Sequence, residues 1–346
     1  MSAALKLGLN TGYWAGGPPP GVEDAIADAE RLGLDSIWTA EAYGSDGLTP
    51  LAWWGASTER LKLGTAITQM SARQPAMTAM SAMTLDHLSG GRFILGLGVS
   101  GPQVVEGWYG QPFSKPLART REYIGILRDI WARKGPVTND GPHYPLPLPG
   151  GTGLAKPLKA SIHPLREDIP IYLGAEGPKN IALCAELCDG WLAMLFSPHH
   201  EELYRPQLEE GWGRDGARRG PDDFDVAASV PFIVSDDIEA AADSLRPMYA
   251  LYFGGMGAKG ANFHANVPIR MGYEDEVDEI QDLYLAGKKD EAAAKIPTAL
   301  IEQLALIGPR DKIKHDLEVW RESLVTTLLV QGDRETIRAA AEIVLG

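Results

Sequence analysis

Hydrophobic and polar positions along this chain follow two alternating periods. Short apolar runs, of which residues 5–9 and 35–39 are the first two, are each followed by a segment whose apolar residues recur every three or four positions. Short runs are typical of buried strands, and the longer spacing is typical of helices with one apolar face. Strands that alternate with helices pair in parallel through those helices. The pattern therefore predicts an α/β protein built on a parallel sheet.

Eight strands are predicted, and their number favours a closed barrel over an open sheet. They lie at residues 5–9, 35–39, 61–67, 92–97, 169–174, 190–194, 226–234 and 325–330, and a final helix follows the last strand. A (β/α)8 TIM barrel accommodates a chain of this length as one domain and binds its ligand at the C-terminal ends of the strands. We therefore expect residues 1–346 to form a single TIM-barrel domain.

Two segments interrupt the alternation. Residues 135–168 are dense in proline and glycine and have no long period, and residues 253–300 begin with a glycine-rich stretch that contains His264 and Arg270. Long irregular segments inside a compact domain are usually functional loops. We expect both segments to be insertions at the C-terminal ends of the strands.

Two glycine-rich loops follow predicted strands. The run from Pro170 to Asn180 leaves a strand at Gly174 and opens a helix at Pro178, and residues 94–101 have the same strand-to-glycine form. Free amides in a first helical turn, with Lys179 beside them, suit an anion. Either loop alone could simply close a turn, but two together suggest a phosphorylated cofactor at one end of the sheet. Neither loop has Walker or Rossmann spacing.

Composition narrows the function further. The formal net charge of −14 argues against nucleic-acid binding, which needs clustered Lys and Arg, but not against a small anionic ligand in one pocket. No apolar run reaches the length of a membrane span, and the first residues do not resemble a signal peptide. We therefore expect a soluble cytoplasmic protein.

The sulfur-containing residues predict packing rather than chemistry. Cys184 and Cys188 are the only cysteines, and their spacing of four on a predicted helix favours two buried thiols over a disulfide. No cluster of His and carboxylates has metal-ligand spacing. Four methionines are expected to fill the core, namely Met70, Met77, Met80 and Met83.

Five motifs, in this order, resemble the bacterial luciferase-like flavin and deazaflavin oxidoreductases. They are Gly33–Glu41, Leu63–Ile67, Asp86–Gly98, Ser100–Gly110 and Ile171–Pro178, and the resemblance covers most of the chain. The branch that the chain is most similar to is the actinobacterial group that uses the deazaflavin coenzyme F420. The resemblance implies a TIM barrel with insertions, a homodimer, and hydride transfer between C5 of F420 and a small organic substrate.

The resemblance also implies roles for particular residues. Glu41, after the second strand, would be the acid beside the deazaflavin ring, and a cis peptide between Ala66 and Ile67 would bulge against that ring. The other implied cofactor contacts are Thr68 and Gln69 near the ring, Val99, Ser100 and Gly101 near the tail, and Ala175, Glu176, Gly177, Lys179 and Asn180 around the tail phosphate.

Two positions depart from the family pattern. Sugar-phosphate dehydrogenases of this family have a catalytic His where this chain has Ala42, and a proton-donating Glu where it has Gly101–Pro102. Their substrate and acid–base pair therefore do not transfer. Glu106 lies close by but fits a solvated loop acid. Glu41 is then the candidate for proton exchange, with pairing to a nearby cation as its alternative.

The substrate is not identified by the sequence. Trp14, His264 and Arg270 could contact it, although each could equally serve packing, and aromatic residues in the insertions suggest an apolar or carbonyl-bearing compound. A reduced-FMN monooxygenase would use the same phosphate loop and is the alternative enzyme. A non-catalytic deazaflavin-binding protein is the alternative outside enzymes.

Overall fold

Parallel β-strands form the centre of the protein, for which a computed structural model describes residues 4–14, 16–257, 259 and 262–346. The strands are β1 (Lys6–Gly12), β2 (Ser36–Thr39), β3 (Lys62–Thr65), β4 (Thr68–Gln69), β5 (Phe93–Gly98), β6 (Ile171–Gly174), β7 (Gly190–Ala193), β8 (Asp225–Ser229), β9 (Phe232–Val234), β10 (Leu306–Gly308) and β11 (Thr327–Val330).

The main sheet closes on itself. Its strands are ordered β3, β2, β1, β11, β8, β7, β6, β5 and β4, every pair is parallel, and β3 also pairs with β5. Because β4 continues β3 after a two-residue interruption, the closed sheet has eight strand positions, which we call staves. The predicted (β/α)8 barrel is confirmed.

Helices connect the staves along the outside of the barrel. They are α1 (Val22–Leu32), α2 (Thr49–Gly55), α3 (Pro75–Leu88), α4 (Pro102–Val105), α5 (Pro116–Ala132), α6 (Pro178–Leu187), α7 (Arg205–Trp212), α8 (Ile238–Ala250), α9 (Asn266–Arg270), α10 (Glu274–Leu285), α11 (Lys289–Ala294), α12 (Thr298–Leu304), α13 (Arg310–Glu322) and α14 (Arg334–Val344). Short 3-10 helices occupy Met70–Ala72 and Pro198–Leu203, and a π-helical turn occupies Leu251–Gly255.

The barrel interior is filled by an indole, a phenol and aliphatic side chains, with glycines where the strands approach most closely. Trp38 of β2 is 1% exposed, and a Cβ on Gly64 would lie 2.2 Å from its ring. A Cβ on Gly96 would lie 1.6 Å from the carbonyl oxygen of Thr65, so only glycine allows β3 and β5 to meet there. The interior cluster consists of Trp38, Ile94, Tyr172, Leu192, Ala227 and Leu329.

The seventh stave is shorter than predicted. A single strand was expected over residues 226–234, but the structure has β8 in the barrel and β9 outside it, with Pro231 between them. Proline has no amide hydrogen and interrupts a ladder. β9 instead pairs with β10, a three-residue strand that the sequence pattern did not predict.

The second insertion has its own hydrophobic core. Helices α8 to α12 and the π-helical turn pack around a cluster separate from that of the barrel, whose largest members include Tyr249, Phe253, Ile280, Leu300 and Ile307. The first insertion, in contrast, has no helix or strand within described residues 135–168, only isolated bridges between Val137 and Leu158 and between Asn139 and Leu146.

Helix α3 is less buried than predicted. Met70 and Met83 are buried as expected, but Met77 is 51% exposed and Met80 is 47% exposed. The expectation that all four methionines fill the core is wrong for these two, because α3 is apolar on its outer face as well. Both cysteines are buried and unpaired, as predicted.

Neither a membrane span nor a metal cluster is found in the described part of the chain. None of its helices combines the length and the apolar character needed to cross a bilayer. No group of three or more His, Cys, Asp or Glu side chains there is arranged to hold a metal ion.

Candidate active site

The three segments predicted to contact a cofactor end neighbouring staves. Thr68 and Gln69 form β4, residues 99–101 follow β5, and residues 175–180 follow β6. β4 pairs with β5, and β5 pairs with β6. The fold therefore brings the predicted segments together on one side of the barrel mouth.

Ile67 lies between these stave ends. Its peptide bond with Ala66 is cis, as the resemblance implied. A Cβ on Gly98 would lie 2.5 Å from Ile67 Cδ1, and a Cβ on Gly174 would lie 3.1 Å from Ile67 Cγ2. Glycine at both positions lets the isoleucine reach across the ends of β5 and β6. Because Ile67 also packs on the interior cluster and is half-buried, it provides an apolar floor at the mouth.

Glu41 is buried and fully engaged. Its Oε2 accepts a hydrogen bond from the backbone N–H of Gly47 (3.0 Å), and its Oε1 accepts one from the N–H of Gln69 (2.8 Å). The Arg73 guanidinium donates to both oxygens, with Nη2 2.9 Å from Oε2. Desolvation disfavours the Arg73 charge, but the hydrogen bonds that Arg73 donates to Glu41, together with the negative charges of Glu41 and Asp46, outweigh it and raise the pKa of Arg73.

This geometry argues against the expected role of Glu41 in proton exchange. Four N–H donors surround the carboxylate, so it acts as an ionised acceptor and leaves no oxygen for a ligand. Glu41 instead ties the loop after β2 to β4. Sequence reasoning missed Arg73, since no local pattern marks an arginine 32 residues along the chain as its partner.

Two polar atoms of β4 are buried without partners. Thr68 Oγ1 and Gln69 Oε1 have no hydrogen bond within the described structure, whereas Gln69 Nε2 donates to the carbonyl oxygens of Glu41 (3.1 Å) and Ala42 (3.2 Å). Buried polar atoms are nearly always bonded, so each such exception needs an explanation. A ligand with its own polar edge would satisfy both atoms.

The loop after β5 contains no acid at the family's position. Val99, Ser100 and Gly101 are half-buried, and Ser100 adopts a left-handed conformation with φ of 58° before α4 begins. Glu106 is exposed, and its carboxylate accepts a hydrogen bond from the backbone N–H of Phe113 (3.2 Å). Glu106 is therefore a surface loop acid, as expected.

The loop after β6 leads into a helix with an open N-terminus. Gly177 is the N-cap of α6 and no side chain caps the helix. Pro178 has no N–H and the Asn180 N–H donates to the Gly177 carbonyl (2.9 Å), so the Lys179 amide is the first-turn donor left for another acceptor. Ala175 is buried, Lys179 is exposed without an ion pair to any described residue, and Asn180 Oδ1 is buried without a partner. This loop has the features of an anion site.

The second insertion lies against this loop. His264 Nδ1 is 2.7 Å from Glu176 Oε1 without an aligned hydrogen bond, and both His264 Nδ1 and Glu176 Oε2 are buried without a hydrogen-bond partner in the described structure. Arg270 Nη2 donates to the backbone carbonyl of Glu176 (3.3 Å), and its guanidinium lies 5.9 Å from the centre of the Tyr204 ring. Both predicted substrate residues are thus placed beside the β6 loop.

Tyrosines that sequence reasoning did not select surround the same region. The ring of Tyr252 meets that of His264 edge-on at 5.0 Å, and the rings of Tyr13 and Tyr43 are 6.3 Å apart. Desolvation, followed by the charges of Tyr13, Glu176 and Tyr43, raises the pKa of Tyr252 to about 12. Tyr252 is therefore a neutral phenol near pH 7, able to donate or accept a hydrogen bond but not to act as a base.

Trp14 lies in a groove beside the mouth. Its ring packs 6.0 Å from that of Trp54, and its backbone N–H donates to Ser45 Oγ (3.1 Å). The groove has a volume of about 610 Å³ and is also lined by Trp53 and Asp46. Packing between α1 and α2 accounts for Trp14.

Comparison with known proteins gives one family. The family model described as luciferase-like monooxygenase matches residues 8–327. A protein of Mycobacterium tuberculosis with the provisional name coenzyme F420-dependent oxidoreductase is 55% identical over 347 residues, which is 99% of this chain and 100% of that protein.

Solved structures agree on the fold. The coenzyme F420-dependent tetrahydromethanopterin reductase of Methanopyrus kandleri superposes with a TM-score of 0.81 at 24% identity, covering 99% of both chains. An F420-dependent secondary alcohol dehydrogenase in complex with an F420–acetone adduct superposes with a TM-score of 0.76 at 17% identity, covering 99% of this chain and 98% of the other. At these identities the likeness shows the barrel alone.

Proposed function

This chain belongs to the luciferase-like monooxygenase family, and on that premise we propose that it is an oxidoreductase that binds coenzyme F420. It would exchange a hydride between C5 of the deazaflavin and a small organic substrate. The observation that carries the proposal is the pair of buried, unpartnered polar atoms at the β4 end of the mouth, namely Thr68 Oγ1 and Gln69 Oε1.

The ring side of the mouth suits a flat heterocycle. Ile67 offers an apolar surface, and Ala66, Thr68 and Gln69 lie beside it. The pyrimidine edge of a deazaflavin carries both carbonyl and N–H groups, which are the partners that a hydroxyl and an amide oxygen lack here. In this proposal Glu41 holds the β2 loop in place and does not itself transfer a proton.

The tail side suits a phosphate. The main-chain nitrogens of Glu176 and Gly177, with the first turn of α6, would bind it, and Ala175 and Asn180 would line the loop. Val99, Ser100 and Gly101 on β5 would contact the chain between ring and phosphate. Exposed Lys179 would meet the acidic tail of F420 at the solvent edge.

Titration of the purified apoprotein with F420 and with FMN, followed by fluorescence quenching, tests the cofactor. We expect micromolar affinity for F420 and none for FMN, since only F420 carries the acidic tail. The opposite preference would replace the proposal with a reduced-FMN monooxygenase, and binding of neither would remove it.

The charge at position 179 should matter only for the tail. Lys179→Glu should weaken F420 binding by about tenfold, because a lost attraction and a new repulsion at a partly solvated site together amount to roughly 1–2 kcal/mol. Replacing the equally exposed Lys289 by Glu is the control. Unchanged F420 affinity in Lys179→Glu would mean that the tail lies elsewhere.

We also propose a homodimer through α3. This helix buries one face in the barrel core while exposing Met77, Met80 and Leu88, and a helix that is apolar all round needs a second partner. Light scattering on wild type and Met80→Glu tests this, with a dimer expected for the first and a monomer for the second.

A further inference from the structure

The groove between the starts of α1 and α2 takes no part in the proposed function. Its volume of about 610 Å³ lies within the roughly 300–1,000 Å³ that is usual for small-molecule sites. Three indoles and three prolines form its apolar lining, namely Trp14, Trp53, Trp54, Pro18, Pro19 and Pro50. The groove is therefore large enough for a small molecule and offers that molecule an aromatic surface.

Trp53 of α2 presents its indole to this groove and to solvent. The residue is 72% exposed, and its Nε1 donates a hydrogen bond to Glu23 Oε1 (3.2 Å). This bond holds the indole against the first turn of α1 while much of the ring stays uncovered. Because the face of an indole carries negative electrostatic potential, it attracts organic cations that lie within about 6 Å of the ring centre.

Carboxylates give the groove a negative charge. Glu23 and Asp46 line it, and neither forms an ion pair with a described residue, whereas Asp24 is paired with Arg334 (3.3 Å). No Lys, Arg or His side chain among the described residues lines the groove. The two unpaired carboxylates exceed the roughly half positive charge at each of the two adjacent helix starts. The groove therefore favours a cation.

The Asp46 carboxylate is held in one place and stays ionised. Its Oδ1 accepts hydrogen bonds from the backbone N–H groups of Leu48 (2.9 Å) and Thr49 (2.8 Å). Desolvation would raise the pKa of Asp46, but these hydrogen bonds and the charge of Arg73 outweigh it and lower the pKa. Oδ2 makes no hydrogen bond to a described residue, so one oxygen can face a ligand.

The walls of the groove are fastened to each other. The Trp14 N–H donates to Ser45 Oγ (3.1 Å), and the Ser45 N–H donates to the Trp14 carbonyl (2.9 Å). A Cβ on Gly44 would lie 2.6 Å from that carbonyl oxygen, so glycine lets the two loops approach. The Trp14 ring packs 6.0 Å from that of Trp54. A ligand would find these walls already in place, which lowers the entropic cost of binding.

We propose that this groove is a second ligand site, separate from the barrel mouth, and that it binds an organic cation with an apolar body, such as a quaternary ammonium compound. The indoles would contact the apolar body and the cationic head, and Glu23 and Asp46 would balance its charge. An anion would be repelled by both carboxylates. A neutral apolar molecule would take them out of water without giving either a partner.

Binding of benzyltrimethylammonium to the full-length apoprotein tests the site. Benzyl alcohol is the neutral comparison and phenylacetate is the anionic one. Ligand-observed NMR titrations give the dissociation constants. The indole N–H signals of the nitrogen-15-labelled protein report where the probe binds, and the Trp53 signal is the one that disappears in Trp53→Ala.

Three variants remove one contribution each. They are Trp53→Ala, Glu23→Gln and Asp46→Asn, and the last two keep the shape of the side chain while removing its charge. The matched controls are Trp108→Ala, which removes a 66% exposed indole outside the groove, and Glu274→Gln, which neutralises an exposed acid on α10.

We expect wild type to bind benzyltrimethylammonium at least about tenfold more tightly than benzyl alcohol, with a shift of the Trp53 signal. Trp53→Ala should weaken this binding about fivefold, and each charge-removing variant should weaken it about two- to threefold. Added salt should weaken it as well, because the carboxylates are exposed. Both controls should bind like wild type, and F420 affinity should stay within about twofold in every variant.

Several results would overturn the inference. Equal affinity for benzyl alcohol would reduce the groove to an apolar surface. An unmoved Trp53 signal, or wild-type affinity in Trp53→Ala, would place the cation elsewhere, and displacement of the cation by F420 would make the groove part of the cofactor site. Should Asp46→Asn fail to fold, Glu23→Gln carries the charge test. None of these titrations needs F420 to bind, so the proposed function stands or falls separately.

Discussion

Two acid–base contacts at the barrel mouth, Glu41 with Arg73 and Glu176 with His264, differ in how many hydrogen bonds the carboxylate receives. Glu41 receives four hydrogen bonds, and its partner is charged at any accessible pH. Glu176 has one engaged oxygen and one buried oxygen without a described partner, and its partner can be neutral or charged. The protein alone supplies every hydrogen bond that the Glu41 carboxylate can accept. The Glu176 carboxylate has an acceptor position left, which a bound ligand would fill.

The largest difference should appear in stability when each acid is removed. Glu41→Ala leaves the mostly buried Arg73 charge without its partner and should lower the free energy of unfolding by about 3–5 kcal/mol. Glu176→Ala should cost no more than about 1 kcal/mol, because the Glu176 carboxylate makes no aligned hydrogen bond to His264 and its Oε2 has no described partner to lose. Urea unfolding of both variants measures this, and equal losses would erase the distinction.

A bound cofactor should stabilise the protein, because it would supply contacts that the region around Glu176 and His264 lacks in the apoprotein. At about 100 times its dissociation constant, F420 should raise the free energy of unfolding by about 2.7 kcal/mol through mass action. Thermal unfolding with and without F420 measures the gain, and inorganic phosphate at the same concentration is the control. If phosphate alone raised the free energy of unfolding as much as F420 does, the region around Glu176 would be only an anion site.

Alkaline pH should affect the second region through Tyr252. Its pKa is raised to about 12, so its contribution to stability is complete below the ordinary tyrosine pKa of about 10 and is lost as pH rises from about 10 to about 12. The two-unit shift corresponds to a loss of about 2.7 kcal/mol. Tyr252→Phe should remove this part of the alkaline transition in urea unfolding, and an unchanged transition in that variant would contradict the assignment to Tyr252.

The smallest effect concerns a single hydroxyl. Thr68→Val replaces an unpartnered buried oxygen by a methyl group of the same shape and should stabilise the apoprotein by about 1 kcal/mol. The same change should weaken F420 binding by about fivefold, because a ligand partner is lost. Thr65→Val is the contrast: Thr65 Oγ1 is bonded to the backbone of Gly96, so the substitution should destabilise. A destabilised Thr68→Val would show that its hydroxyl is satisfied in the apoprotein.

Much of the barrel follows from the chain because strand and helix periods are local. Residues within a few positions of one another decide whether a segment is an apolar strand or a one-faced helix, and eight such units leave few ways to pair. The predicted strand over residues 226–234 is divided at Pro231, and this proline is a local sequence signal for the break before β9. The three residues of β10 are too few to show an apolar–polar period in the sequence. β10 is recognised as a strand only because it pairs with β9 in the structure.

The site was predictable to a lesser degree, because its chemistry depends on distant partners. The local sequence shows the glycines at 98 and 174 and the helix start at Pro178. The barrel fold then explains why these three features lie close together. The partner of Glu41 is 32 residues away, and that of Glu176 is 88 residues away across an insertion. Whether a carboxylate is saturated or half free cannot be read from its neighbours in sequence.

All hydrogen bonds to the Glu41 carboxylate come from the protein itself, and this has a consequence for the evolution of barrels of this kind. Next to it, Ala42 contributes to the structure through its carbonyl oxygen, which accepts hydrogen bonds from Gln69 and from the Tyr109 hydroxyl, and not through its methyl group. Both contacts are made by the backbone, so a different side chain at position 42 would keep the same acceptor for Gln69 and Tyr109. One architecture can thereby pass from one chemistry to another by single substitutions.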